Sequence, residues 1–134
     1  MFENRSAEPG FEELLAAALA EELMRRGHLE PHYGGAAGPE VRVIDGTIRS
    51  AEIRPTSFSS VGLALEYIIL VAIEVEVRQG GGGELVWKQP HLGERERYLA
   101  SSDPGVERSN REQALRRIAA EVAGRIHDEL AQTP

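Results

Sequence analysis

Apolar side chains along this chain repeat with two different periods, and the changes of period mark out its elements. From Phe11 to Arg26 they fall at Phe11, Leu14, Leu15, Ala18, Leu19 and Leu23, the i, i+3, i+4 spacing of a helix with one apolar stripe. Arg25 and Arg26 stand where cations offset the helix dipole, and Gly27 suits the position just past the end. Leu63, Leu65, Tyr67, Ile69, Val71, Ile73, Val75 and Val77 occupy every second position instead, which predicts a strand with an unbroken apolar face. Val41 to Arg54 alternates too, but the phase slips between Val41, Val43 and Ile44, Ile48. That slip predicts a bulge near Asp45-Gly46, and Pro55 is expected to stop the strand.

Between extended runs, Gly80 to Gly83 admits the backbone conformations of a tight turn, so a hairpin is expected. The next strand spans Leu85 to about Tyr98, with Trp87 and Tyr98 as packing anchors. Pro90 within it lacks a ladder donor and implies an edge position or a bulge. Asp103-Pro104-Gly105 reads as a loop, after which Ser109 and Glu112 have capping-box spacing. Leu115, Ile118, Ala119, Val122, Ile126 and Leu130 then form a second helical stripe. Residues 28–40, with Pro31, Gly34, Gly35, Gly38 and Pro39, read as a loop of turn formers.

At the front, Met1-Phe2 runs into Asn4, a polar turn and Pro9 at a helix entrance. This start reads as the tail of a strand whose beginning lies upstream. The expected order is therefore (β)-α-β-β-β-α. One-sided helices beside a sheet pack stably as a two-layer sandwich. The predicted fold class is α+β, with two helices on one face of a three- to four-stranded mixed sheet in a single domain over residues 1–134.

Composition narrows the function classes. A chain of 134 residues with 41% hydrophobic content supports one core, and no apolar window of about 18 residues predicts a membrane span. The net charge of -7 argues against a nucleic-acid partner. The acid is concentrated in front, with 3 basic and 8 acidic side chains in residues 1–40 against 12 and 14 in the rest.

No chemistry-bearing constellation stands out. His28 and His32 are four apart, but Gly27 and Pro31 break the helix that would align them, and no cysteine or carboxylate joins them at ligand spacing. His91 and His127 are isolated and expected at the surface. The glycine run lacks the lysine and helix of a phosphate loop, and Glu12-Glu13 and Glu21-Glu22 belong to a solvated helix face. No metal, no cofactor and no enzymatic activity are expected.

Connectivity still gathers residues at one end. If the strand ending near Arg54 finishes at the top, the loop of residues 99–109 and both helix starts lie there too. Arg5, Arg54, Arg108 and Arg111 would then share an end with two helix N-termini, which attract anions. Phe58, at the tip of the turn, adds an apolar group. The alternative is that these arginines are solvated or offset nearby carboxylates. On the face away from the helices, Ile68, Leu70 and Ala72 lie between Glu66 on one side and Glu74, Glu76 and Arg78 on the other, a pattern that fits a partner surface or ordinary scattered apolar groups.

Five pieces recur in a recognisable order: Phe2-Glu3-Asn4-Arg5-Ser6-Ala7-Glu8-Pro9-Gly10, Asp45-Gly46-Thr47-Ile48, Leu65-Glu66-Tyr67, Gly83-Glu84-Leu85-Val86-Trp87 and Asn110-Arg111-Glu112-Gln113-Ala114-Leu115. Together they resemble the LPS-assembly lipoprotein family LptE, particularly its delta-proteobacterial members, over nearly the whole chain. The resemblance implies a two-layer sandwich that plugs the lumen of an LptD-like outer-membrane β-barrel and contacts lipopolysaccharide at the top end. The candidate residues at that end are Arg5, Arg54, Phe58, Ser59, Arg108, Ser109 and Arg111. Ser59 stands where some members have an arginine, and Ser109 where they have a lysine. It also implies a lipid anchor on a cysteine at the periplasmic side of the outer membrane. This sequence contains no cysteine, so the expectation is that the signal, anchor and start of the first strand lie upstream, leaving the chain soluble as it stands. Two rivals remain. One is another envelope lipoprotein, such as an activator of a peptidoglycan synthase. The other is a small-molecule enzyme or sensor, which would need a deep pocket.

Overall fold

The computed structural model describes residues 2–26 and 41–132. The elements are β1 (Phe2–Asn4), α1 (Phe11–Arg26), β2 (Arg42–Phe58), β3 (Ala64–Gln79), β4 (Leu85–Leu99) and α2 (Pro104–Gln132). The strands form one open sheet in the order β1-β2-β3-β4, with β1 parallel to β2 and the other pairs antiparallel. This is the expected α+β arrangement. The glycine loop of residues 28–40, and with it Gly27, His28 and His32, lies outside the described residues.

β3 supplies the central row of the core. Ile69, Val71, Ile73, Val75 and Val77 are all buried, because alternate residues of a strand point to one face. On β2 the matching row is Ile44, Gly46 and Ile48, opposite Val77, Val75 and Ile73. The register then skips Arg49, so that Ala51 and Ile53 come opposite Val71 and Ile69. The bulge is therefore at Arg49 and not near Asp45-Gly46. Val43, opposite Arg78, belongs to the outer face, so its alternation with Val41 suggested a slip where none exists. The real bulge moves the inward row from even to odd positions.

β2 also runs through Pro55, which pairs with Tyr67, and ends at Phe58. β1 pairs only with Gly46 to Ile48, so upper β2 has no second neighbour among the described strands. A missing N–H is tolerated on such an edge. Pro90 fulfils both of its alternatives. β4 is the opposite edge, and the register jumps there from Leu92 to Gln89 while β3 advances from Ile73 to Val75. At the bottom, Gly81 and Gly82 adopt φ values of 72° and 74°. Two consecutive left-handed residues give a turn whose twist matches the hairpin, and the Gln79 N–H donates to Glu84 O at 2.9 Å to close it.

α1 buries Phe11, Leu15, Leu19 and Leu23, a single i, i+4 row. α2 buries two adjacent rows, Ala114, Ile118, Val122, Ile126 and Leu130 beside Leu115, Ala119, Ala123 and His127, because it packs on both the sheet and α1. His127 is thus 1% exposed and not a surface residue. It continues the Ala119–Ala123 row, which a search for apolar letters passes over.

α2 begins at Pro104, earlier than its capping-box spacing suggested. Asp103 is the cap: its carboxylate accepts the Gly105 N–H at 2.9 Å and its carbonyl accepts the Glu107 N–H at 3.0 Å. Proline at the first helical position lacks only an N–H that would go unused. The two helices run in the same direction. Glu8, just before α1, meets Arg111 at 3.7 Å, and Arg26, at its end, meets Asp128 at 2.8 Å. Seven residues of α2, from Pro104 to Asn110, therefore precede the level of Arg111 and the start of α1, about 10 Å of helix. No helix among the described residues is long and apolar enough to cross a membrane.

Candidate functional site

The segment between β1 and α1 is organised by Asn4. Its side-chain carbonyl accepts from the Ser6 N–H at 2.9 Å and the Ser6 hydroxyl at 2.6 Å. Its amide donates to Glu8 O at 2.8 Å and to the Glu12 carboxylate at 2.6 Å. An asparagine side chain that mimics backbone groups can hold such a turn without regular structure. Asn4's donation is the chief reason that the Glu12 carboxyl is held below its ordinary value. With Glu12 and Glu13 in its first turn, the start of α1 already carries negative charge beside its dipole. Its N-terminus is therefore a poor site for an added anion.

Arg5 leaves β1 at mid-sheet, where its N–H donates to Ile48 O at 2.9 Å and its side chain pairs with Glu3 at 3.1 Å. Arg54 lies further along β2, opposite Ile68 and paired with Glu52 at 2.9 Å. Because Ile68 is on the outer face, Arg54 and the helices are on opposite sides of the sheet. Arg108 and Ser109 are exposed on the second turn of α2. Arg111 turns toward the sheet, with its Nε buried near Glu8. The four arginines therefore do not converge on one point. Two belong to the helix layer, one to the outer face and one to a lower level.

Below Arg111, Tyr98 stacks on Tyr67 with ring centroids 5.5 Å apart. Burial pushes the Tyr98 hydroxyl above its ordinary value, with Arg111 pulling the other way. Glu8, 8% exposed, completes this polar cluster beneath the upper part of α2.

Ser59 and Phe58 form the top turn. The Ser59 N–H donates to Leu63 O at 2.8 Å and the Gly62 N–H donates to Ser59 O at 3.0 Å. The Ser59 hydroxyl accepts the N–H groups of Val61 and Leu63 at 3.3 and 3.2 Å. This serine shapes the tip, while Phe58 is 58% exposed. The apolar row of β3 fails to continue into the core here. Leu63 and Leu65 are 67% and 50% exposed.

On the outer face, Ile68, Leu70 and Ala72 are half-buried in single file. Arg54 and Arg97 flank Ile68, Glu52 and Arg95 flank Leu70, and Ser50 and Gly93 flank Ala72. The small residues leave a depression of about 430 Å³ that Leu70 and Arg95 also line. Lower down, Glu74 links Arg49 of β2 to Lys88 of β4, and Arg49 is the chief reason its carboxyl is held below the ordinary value. The apolar surface is thus a stripe one strand wide between charged borders. Among the described residues, no cluster of three or more histidine or acidic side chains could hold a metal ion.

Comparison with known proteins gives this geometry a context. A family described as LptE, lipopolysaccharide-assembly, matches residues 1–130. Among curated proteins, none matches the chain. A putative lipoprotein from Caulobacter crescentus has a similar structure, with a TM-score of 0.63 at 18% identity over 97% of this chain and 87% of that one. Rare lipoprotein B from Shewanella oneidensis gives a TM-score of 0.62 at 20% identity, covering 97% and 92%. A minor lipoprotein from Acinetobacter baumannii gives 0.54 at 11% identity, covering 99% and 91%. At these identities the structures share the fold.

Proposed function

This chain belongs to the LptE family of lipopolysaccharide-assembly lipoproteins, and from that premise we propose that it is a non-enzymatic component of the outer-membrane assembly complex. In this reading it sits at the periplasmic side of the outer membrane, fills the lumen of an LptD-like β-barrel and presents its top end to lipopolysaccharide. The observation that carries the proposal is the family match over residues 1–130.

The surface chemistry supports a binding role. The outer stripe of Ile68, Leu70 and Ala72, bordered by Arg54, Arg97, Glu52 and Arg95, offers apolar contact with charged edges, as interaction surfaces do. At the upper end, Arg54 is held only by an exposed pair. Such pairs contribute about 0–1 kcal/mol, so a lipid phosphate can compete for the guanidinium. Arg108 is exposed on α2. Arg111, beside buried Glu8, orders the site from beneath. Phe58 follows Arg54 by four residues on β2.

Two measurements test this. Affinity purification of the exported protein from its native outer membrane should recover a stoichiometric β-barrel partner. Recovery of a peptidoglycan synthase instead would overturn the barrel assignment. For the lipid contact, the Arg54→Glu, Arg108→Glu double variant should bind lipopolysaccharide more weakly while keeping its melting temperature. Unchanged affinity would remove these residues from the site.

A further inference from the structure

β1 covers β2 only from Gly46 to Ile48, and the Arg5 N–H, which donates to Ile48 O at 2.9 Å, closes that short ladder. Above it, residues 49–57 of β2 have β3 on one side and no strand among the described residues on the other. Alternation decides which backbone groups face this vacancy. Ile48 directs its carbonyl to β1 and therefore away from β3. The extra residue at Arg49 shifts the parity, so Ala51, Ile53 and Pro55 are the next to face outward. Pro55 fits this assignment, because the N–H it lacks is one that β3 does not need.

The two edges of the sheet differ. On β4, Arg125 and Arg117 donate to the carbonyls of Gly93 and Arg97, each at 3.1 Å, so an incoming strand meets occupied acceptors. At Ala51, Ile53 and Pro55, no loop, turn or side-chain group among the described residues takes that place.

The side chains beside the vacancy are self-complementary. Glu52 and Arg54 stand two apart on the outer face, pair at 2.9 Å, and are 57% and 61% exposed. A copy of β2 laid antiparallel against β2 can be centred on any of these neighbouring residues. Centring on Glu52 opposes two glutamates and centring on Arg54 opposes two arginines, and like charges directly opposite are destabilising. Centring on Ile53 instead sets each Glu52 opposite the Arg54 of the second copy, so that charges alternate round a square.

The backbone agrees with the same register. Each Ile53 N–H would donate to the Ile53 carbonyl of the second copy, and each Ala51 N–H to its Pro55 carbonyl, so the missing proline donor removes none of these bonds. Ile53 is also the midpoint of residues 49–57, which lets both copies fit between the end of β1 and the β2–β3 turn. On the helix side, Ala51 and Ile53 lie partly buried at the margin of the core, and the second copy would extend their cover.

We propose that upper β2 joins two copies of this chain into one continuous sheet about a two-fold axis at Ile53. A two-fold contact is closed, so this edge adds one copy and no more. The proposal goes beyond the translocon reading and concerns the chain outside a barrel.

The test is sedimentation equilibrium of the full chain from micromolar to millimolar concentration. A monomer–dimer equilibrium is expected, with the mass rising from 14.7 kDa toward twice that value. Arg54→Glu and Glu52→Arg should each weaken the dimer at least about tenfold, because the cross-strand pairs turn repulsive. The combined Glu52→Arg, Arg54→Glu swap should restore it, since the charges alternate again. Both side chains are exposed, so melting should stay unchanged in all three variants. Because the sequence contains no cysteine, Ile53→Cys supplies a single thiol at the axis. Bonded antiparallel partners lie about 5.5 Å apart at Cα, within disulfide reach, so mild oxidation should give a covalent dimer, whereas Ser60→Cys in the turn should not. A monomer at every concentration would overturn the proposal. So would a dimer that tolerates the single charge changes or is not restored by the swap, which would place the contact on another surface, such as exposed Phe58 and Val61. Arg108→Glu should weaken lipopolysaccharide binding and leave the dimer intact, so failure of the lipid site and failure of the edge are separable.

Discussion

The Phe2 ring occupies the space that a side chain on Gly46 would fill: a Cβ there would lie 2.6 Å from the ring and 2.9 Å from Glu74 O. Phe2 and Gly46 are partners across the β1–β2 ladder, and Phe2 is 7% exposed. The missing side chain on β2 thus admits the one that fastens β1, the pairing of an aromatic with a strand glycine.

Gly46→Val should therefore destabilise the fold by about 1–3 kcal/mol through overpacking, and Phe2→Ala by about 3–5 kcal/mol through the cavity. Urea unfolding of both single variants and the double variant checks the coupling. The double should cost less than the sum, since the valine can enter the space left by the ring. Strict additivity would show that the contact is energetically idle.

Asn4→Ala removes four hydrogen bonds from the β1–α1 turn. A loss of about 1–3 kcal/mol is expected, because the amide and carbonyl partners are part-buried and lose their mates. A melting temperature within one degree of the parent would show that the turn holds without it.

The carboxyls of Glu12, Glu22 and Glu74 are all held below their ordinary value of 4.5, chiefly by Asn4, Arg25 and Arg49 respectively. A depressed folded-state value contributes stability that is full above the unfolded value and is lost as pH falls through the folded one. Urea midpoints should therefore hold from pH 7 down to about 4.5 and decline below it. Glu74→Gln should flatten that acid limb, and an unaltered slope in the variant would count against the Arg49 pairing.

The outer edge of β4 is guarded from the helix layer. Arg125 donates to Gly93 O at 3.1 Å and to Glu94 at 2.7 Å, and Arg117 donates to Arg97 O at 3.1 Å and to Glu96 at 3.3 Å. Each arginine occupies a carbonyl that an incoming strand would need. The Arg117→Ala, Arg125→Ala variant should lose only about 1–2 kcal/mol, as exposed pairs do, yet self-associate with rising concentration in sedimentation. A monomer at all concentrations would mean that the edge is protected otherwise.

Arg111→Glu should behave differently from charge reversal at Arg54 or Arg108. It places a carboxylate against Glu8, whose side chain is only 10% exposed. Destabilisation of about 1–3 kcal/mol is expected, partly relieved by the further change Glu8→Gln. Thermal melts of the two variants decide the matter, and an unaffected Arg111→Glu protein would place Arg111 among the free surface arginines.

The order of elements was legible from periodicity, because a strand or helix must repeat its apolar positions to reach a core. The rows Phe11–Leu15–Leu19–Leu23 and Ile69 to Val77 are buried as their spacing demands. Pro90 announced its edge and bulge, and Gly81 and Gly82 their turn. Asp103 carried a cap signal, but Pro104 and Gly105 beside it look equally like a loop. His127 was hidden because a polar letter interrupts no helix whose neighbours are buried.

What only the tertiary structure decided is level and side. Connectivity places strand ends at the top or bottom, yet the long-range pairing of Asn4 with Ile48 sets Arg5 at mid-sheet. The bulge at Arg49 decides which residues of upper β2 face outward, and so puts Arg54 across the sheet from Arg108 and Arg111. Likewise, alternation could not show that the apolar face of β3 meets solvent at Leu63 and Leu65. Local spacing specifies which side of an element is apolar. How far each element extends against its neighbours comes from summed contacts between distant residues, which no short stretch of sequence contains.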